Sequence, residues 1–193
     1  MKFDDVFFRE NLLKTNYSVD SESDVIVLYE KGEVHIKPYG TGYHMVYHLH
    51  RILKFLKGTD EALKFANVKE IYPNSGDADV FANNIKGTTY NIDNETIVKS
   101  NLDNKAVYDK RIDRNYHEMA FAMPSVREGS IIDYEFEIVD KHYFFLPLWE
   151  FKSRVPKLVS EYEVSSPIDL NSIQSPLVIY LLKNLIALRE LKM

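Results

Sequence analysis

The sequence predicts a mainly β protein, an antiparallel β-sandwich with a short N-terminal helix and a C-terminal helix. Three observations carry that prediction. Short apolar runs rich in Val, Ile, Tyr and Phe recur between residues 24 and 165, each bounded by Gly, Pro, Asn, Asp or Ser. The segment SIIDYEFEIVD at 130–140 alternates cleanly, with Ile132, Tyr134, Phe136 and Ile138 on one face and Asp133, Glu135 and Glu137 on the other. No strand–helix alternation of the kind that builds a parallel sheet interrupts the series.

Taken in order, residues 3–14 (FDDVFFRENLLK) space Phe3, Val6, Phe7, Leu12 and Leu13 as a short amphipathic helix, with Asp4 and Asp5 at its positive end. Residues 15–23 are a polar loop. DVIVLYE at 24–30 reads as a buried strand, Lys31-Gly32 as a turn, and EVHIK at 33–37 as the return strand. Pro38 to Gly42 makes a second break. Residues 43–56 form a strand with Tyr43, Met45, Tyr47 and Leu49 on one face and His44, Val46, His48 and His50 on the other. Gly58-Thr59-Asp60 is a turn leading into one helical turn over 60–66, and the rest of 58–76 is mixed.

VFANNIKGTTYNI and ETIVKSNL flank Asp93-Asn94 as a hairpin. KAVYDKRID and NYHEMAFAMP are further strands, and Pro124 to Gly129 turns into the alternating strand at 130–140. YFFLPLWEFKSRVP and KLVSEYEVSSP complete the set. Residues 173–193 change texture: Leu-rich, with Pro176 at a first helical position. The apolar run from Leu177 to Leu188 is too short to span a bilayer, which takes about 20 residues. The expected organisation is an N-terminal helical arm over 1–16, the sandwich over 17–168, and a helical tail over 169–193.

Composition narrows the function. The chain of 193 residues is 45% apolar, enough to bury a core. A net charge of −5 provides no basic excess for phosphates and argues against a nucleic-acid partner. There is no cysteine, so disulfides, thiolate metal sites and a cysteine nucleophile are excluded. Asp4 and Asp5 do not suit a signal peptide, so the chain is expected to be cytoplasmic, mature or partial.

Candidate chemistry is sparse. His44, His48 and His50 share a strand face, but four residues along a strand is about 13 Å, so only His48 and His50 could share an ion. Asp133, Glu135, Glu137 and Asp140 could collect calcium, although the plainer reading is the wet face of a strand. Gly40-Thr41-Gly42 is no dinucleotide loop, and no G-x-S-x-G occurs. Nothing calls for a cofactor or a metal, and no catalytic set is complete. The distinctive local feature is aromatic. Tyr143, Phe145, Trp149 and Phe151 share odd-position parity, as a core face does. Exposed together, they would instead form a binding patch for a peptide or sugar.

The order of these segments has a counterpart. FAMPSVREGSIIDYEFEI at 121–138, then Trp149-Glu150-Phe151, Pro156 and Ser160-Glu161-Tyr162 resemble domain of unknown function 3857, found in front of transglutaminase-like domains in Bacteroidetes-type bacteria. The resemblance covers about 20–168; Lys152 stands where that family usually has Gln, and residues from 170 onward depart from it. It implies a β-sandwich that is not itself catalytic, because the Cys–His–Asp set belongs to the following domain. It also implies a periplasmic or envelope location and a transglutaminase-like domain, or another protein chain, as partner. The expected role is to position or recognise a substrate. The alternatives are a stand-alone carbohydrate- or peptide-binding module of the cell envelope, and a metal-dependent enzyme using His48 and His50.

Overall fold

The computed structural model describes residues 3–20, 22–39, 42–73, 80–141 and 147–165. Two sheets carry the fold. The larger has six strands: β1 (Val25–Tyr39), β2 (Gly42–Phe55), β4 (Val80–Asp93), β5 (Thr96–Asn101), β8 (Ile131–Asp140) and β9 (Ser160–Ser165), in the order β5-β4-β8-β2-β1-β9. The smaller has three: β3 (Asn67–Pro73), β6 (Tyr108–Arg111) and β7 (Tyr116–Ala122), in the order β3-β7-β6. The mainly β prediction holds.

The sheets enclose one core. Val34, Tyr47, Leu49, Leu53, Phe55, Met119, Phe121, Ile132, Tyr134, Phe136 and Ile138 are all buried in it. The assignment of β8 is as expected, with Ile132, Tyr134, Phe136 and Ile138 inward. On the opposite face of the six-stranded sheet lies α1 (Asp5–Leu13), so the architecture has three layers. Asp4 caps α1 by accepting a hydrogen bond from the Phe7 amide at 3.1 Å. Phe8 and Leu12 bury against Ile26, Leu28, Ile52 and Ile131, and Phe8 stacks on Tyr90 with centroids 3.8 Å apart.

Several expectations are corrected. Lys31-Gly32 is not a turn: β1 runs unbroken for 15 residues, and the reversal comes at the Tyr39–Gly42 pair. Gly32 has a packing reason instead. A Cβ there would stand 2.6 Å from Trp149 Cζ3 and 2.8 Å from Tyr162 Cδ2, so the missing side chain makes room for two stacked rings. The sheet is not wholly antiparallel, because β9 pairs with β1 in parallel, Gly32 opposite Tyr162. Residues 67–73, read as mixed, form β3. The turn after β4 is Asn94-Glu95, one residue later than expected; both have positive φ (49° and 64°), as a two-residue hairpin of the mirror-image type requires. Residues 147–158, read as strand, are mostly irregular. A further α-helical turn, α2 (Asp60–Leu63), stands where one was expected. The C-terminal helix predicted over 169–193 lies outside the described residues. Among the described residues, no helix is long and apolar enough to cross a membrane.

A β-bulge in β1 decides what faces the core. The β1–β2 register shifts between Val27 and Tyr29. Before it Val25 and Val27 point into the main core, whereas after it Glu30, Gly32 and Val34 do. The extra residue reverses the phase of alternation, placing a glutamate inside and Lys31 and Glu33 outside.

Candidate functional site

The inward-facing Glu30 is 1% exposed. A carboxylate so placed is costly unless donors surround it. Three do. Arg51 Nε donates to Oε2 at 3.1 Å, Lys157 Nζ to Oε1 at 2.5 Å, and Ser160 Oγ to Oε1 at 2.7 Å. Arg51 comes from β2, on the face shared with Tyr47 and Leu49. Lys157 and Ser160 come from the segment that runs beside β1, held by Val27 N to Pro156 O at 2.9 Å and Glu30 N to Val159 O at 3.0 Å.

This cluster forms one wall of a cleft of about 480 Å³ between the sheets. Glu30, Tyr47, Arg51 and Glu70 line it with Trp149, Arg154 and Lys157, and Phe65 and Leu148 form an apolar rim. Leu148 is 89% exposed. A second cavity of about 180 Å³ shares Leu49, Arg51, Leu53, Phe65 and Glu70 and adds Lys64, Lys69 and Tyr134. Such volumes suit a small ligand or a short chain segment.

The electrostatics follow from burial. Burial pushes the Glu70 carboxyl up, opposed by the nearby Arg51 charge. Burial likewise raises the phenols of Tyr47 and Tyr134. Arg51 Nη1 donates to Tyr134 Oη at 3.2 Å. The cleft serines are committed: Ser153 Oγ donates to the Val155 carbonyl at 2.8 Å, and Ser160 Oγ, while donating to Glu30, accepts from Trp149 Nε1 at 3.2 Å.

The aromatic candidates divide. Trp149 is half-buried, stacked on Tyr162 at 5.2 Å over Gly32, and forms part of the cleft wall. It therefore packs against the core and faces the cleft at once. Phe151 meets it edge-on at 6.4 Å. Tyr143 and Phe145 lie outside the described residues.

The histidine face is a charge ladder. His48 lies between Glu33 and Glu135, each at 3.4 Å, and His50 Nε2 is 2.7 Å from Asp133. Lys31 and Lys86 extend it, pairing with Glu33 and Glu135 at 2.7 Å each. Glu135 and Asp133 thus serve cross-strand pairing on the wet face, as the plainer reading had it. Among the described residues, no group of three or more His, Asp or Glu is arranged to hold a metal ion.

Sequence reasoning missed Glu30, Arg51, Glu70 and Lys157. One signal was there: extending the parity of Met45, Tyr47 and Leu49 along β2 puts Arg51 on the apolar face. A charge at a core-phase position asks for a buried partner.

No protein-family model matches the chain, and no curated protein matches it. Among solved structures, it is similar to a protein from Parabacteroides distasonis described as "a putative protease", with 16% identity and a TM-score of 0.44. The match covers 61% of this chain and 23% of that protein, so this chain corresponds to under a quarter of that protein's length.

Proposed function

We propose that this chain is a non-catalytic β-sandwich module that holds a peptide or glycan in the cleft between its sheets. It would act as an accessory to a transglutaminase-like peptidase or amidase domain in the periplasm or cell envelope. The observation that carries this reading is the state of the cleft's reactive groups. Glu30 already accepts three hydrogen bonds, and both serines donate to fixed acceptors. Nucleophilic catalysis needs a hydroxyl paired with a free base. This wall offers committed groups beside an aromatic surface, which suits binding. The resemblance of residues 121–162 to the domain that precedes transglutaminase-like domains supplies the accessory role and location.

The Trp149–Tyr162 stack also suits a second reading, a stand-alone carbohydrate- or peptide-binding module of the envelope. Trp149 is the single tryptophan of the chain, so its emission reports on the cleft. Titration with short peptides and cell-wall glycan fragments should give a saturable emission change without turnover. Hydrolysis of either ligand that a single cleft substitution abolishes would overturn the non-catalytic reading.

A further inference from the structure

We infer that the cleft takes the C-terminal end of a peptide, its carboxylate docking on Arg51 and its last, apolar side chain lying against Trp149 and Phe65. This rests on the binding reading above and names the ligand class for the same site. A guanidinium carries five N–H donors. Arg51 uses one on Nε for Glu30 and one on Nη1 for Tyr134. The remaining Nη1 hydrogen and both on Nη2 meet no acceptor among the described residues. Yet the side chain is only 33% exposed and lines both cavities. A planar fork of donors open to the cleft matches a carboxylate's two oxygens.

The surroundings favour an anion. Arg51, Lys64, Lys69, Arg154 and Lys157 line the two cavities against Glu30, Glu70 and Glu150, five cations to three carboxylates. Lys64 is paired outward with Glu61 and Lys157 with Glu30, which leaves Arg51, Lys69 and Arg154 against Glu70 and Glu150, three to two. Glu30 is saturated within its own cluster. Lys64, Lys69 and Arg154 are exposed and form a basic rim to the cleft, in a chain of net charge −5. Val27, Leu49, Leu53, Phe65 and Leu148 make the remaining walls apolar. That combination fits a terminal carboxylate next to an apolar side chain better than a hydroxyl-rich sugar ring.

The test is a Trp149 fluorescence titration of the full chain. The probes are N-acetyl tripeptides ending in Leu or Phe with a free carboxylate, the same peptides as C-terminal amides, and galacturonate oligomers as an acidic glycan. The free acids should bind about tenfold or more tighter than the amides. Arg51→Gln should abolish the difference. Glu70→Gln, which removes a competing negative charge while keeping shape, should tighten the acids about two- to fivefold and leave the amides unchanged. Should Arg51→Gln fail to fold, the acid–amide comparison and Glu70→Gln still decide. Equal binding of acids and amides would overturn this inference and leave the binding-module reading standing. Galacturonate binding without peptide binding would overturn the peptide assignment alone. If no probe binds, this inference falls, and the titration with cell-wall glycan fragments then decides the binding-module reading.

Discussion

Lys54 offers a test of the fold that is independent of any ligand. Its side chain is 1% exposed. Nζ donates to the Leu12 carbonyl at 2.9 Å, at the end of α1, and to the Gly129 carbonyl at 2.7 Å. No carboxylate among the described residues offsets its burial, which lowers its pKa from 10.5 to about 8. The sign follows from linkage. Below about pH 8 both folded and unfolded chains carry the proton, and the folded chain bears the full cost of a buried charge. Between about pH 8 and 10 the folded chain releases the proton while the unfolded chain retains it, so the Lys54 contribution to stability rises with pH. Lys54 by itself contributes about 2 kcal/mol over that window, at up to about 1.4 kcal/mol per pH unit. Above about pH 9 the trend reverses. Tyr17, Tyr90 and Tyr162, pushed up by burial to about 12, keep their protons in the folded chain while the unfolded chain loses them. Urea denaturation at intervals from about pH 7 to 11 measures the curve, with a maximum expected near pH 9. The Lys54→Met variant should lose the rise and keep the fall. A flat or falling wild-type curve between about pH 7.5 and 9, or an unchanged rise in Lys54→Met, would refute the reasoning.

Two further outcomes test the cleft wall. Gly32→Ala places a methyl group 2.6 Å from the Trp149 ring, so it should cost about 1–3 kcal/mol and shift the Trp149 emission; unchanged stability and emission would mean the rings do not sit over Gly32 in solution. Glu30→Ala leaves Arg51 and Lys157 beside a buried vacancy without their acceptor and should cost about 3–5 kcal/mol by urea denaturation, whereas a loss below about 1 kcal/mol would contradict the desolvated cluster.

Much of the fold was legible because period alone reports it. The clean alternation of β8, the β-branched texture of β1 and β2, and the Asp4 cap of α1 are local signals with local causes. The site was less legible. Its charged members lie far apart in sequence, Glu30 from Lys157 by 127 residues, and each taken alone looks like an ordinary surface residue. Gly32 misled for a similar reason: Lys-Gly is a common turn pair, and only the rings of Trp149 and Tyr162 above it explain a glycine in mid-strand.

The amino-acid sequence by itself determined the β character, which face of β8 is buried, and the exclusion of cysteine chemistry. These follow from residue type and spacing. The tertiary structure alone decided the phase of β1 and the company of Glu30. A bulge after Val27 resets a period of two, and nothing in the local pattern announces it. A charge can be buried only where distant segments bring donors to it. The parallel arrival of β9 beside β1, with Arg51 of β2 directly opposite Glu30, is what turns a strand-borne glutamate into the anchor of a cleft.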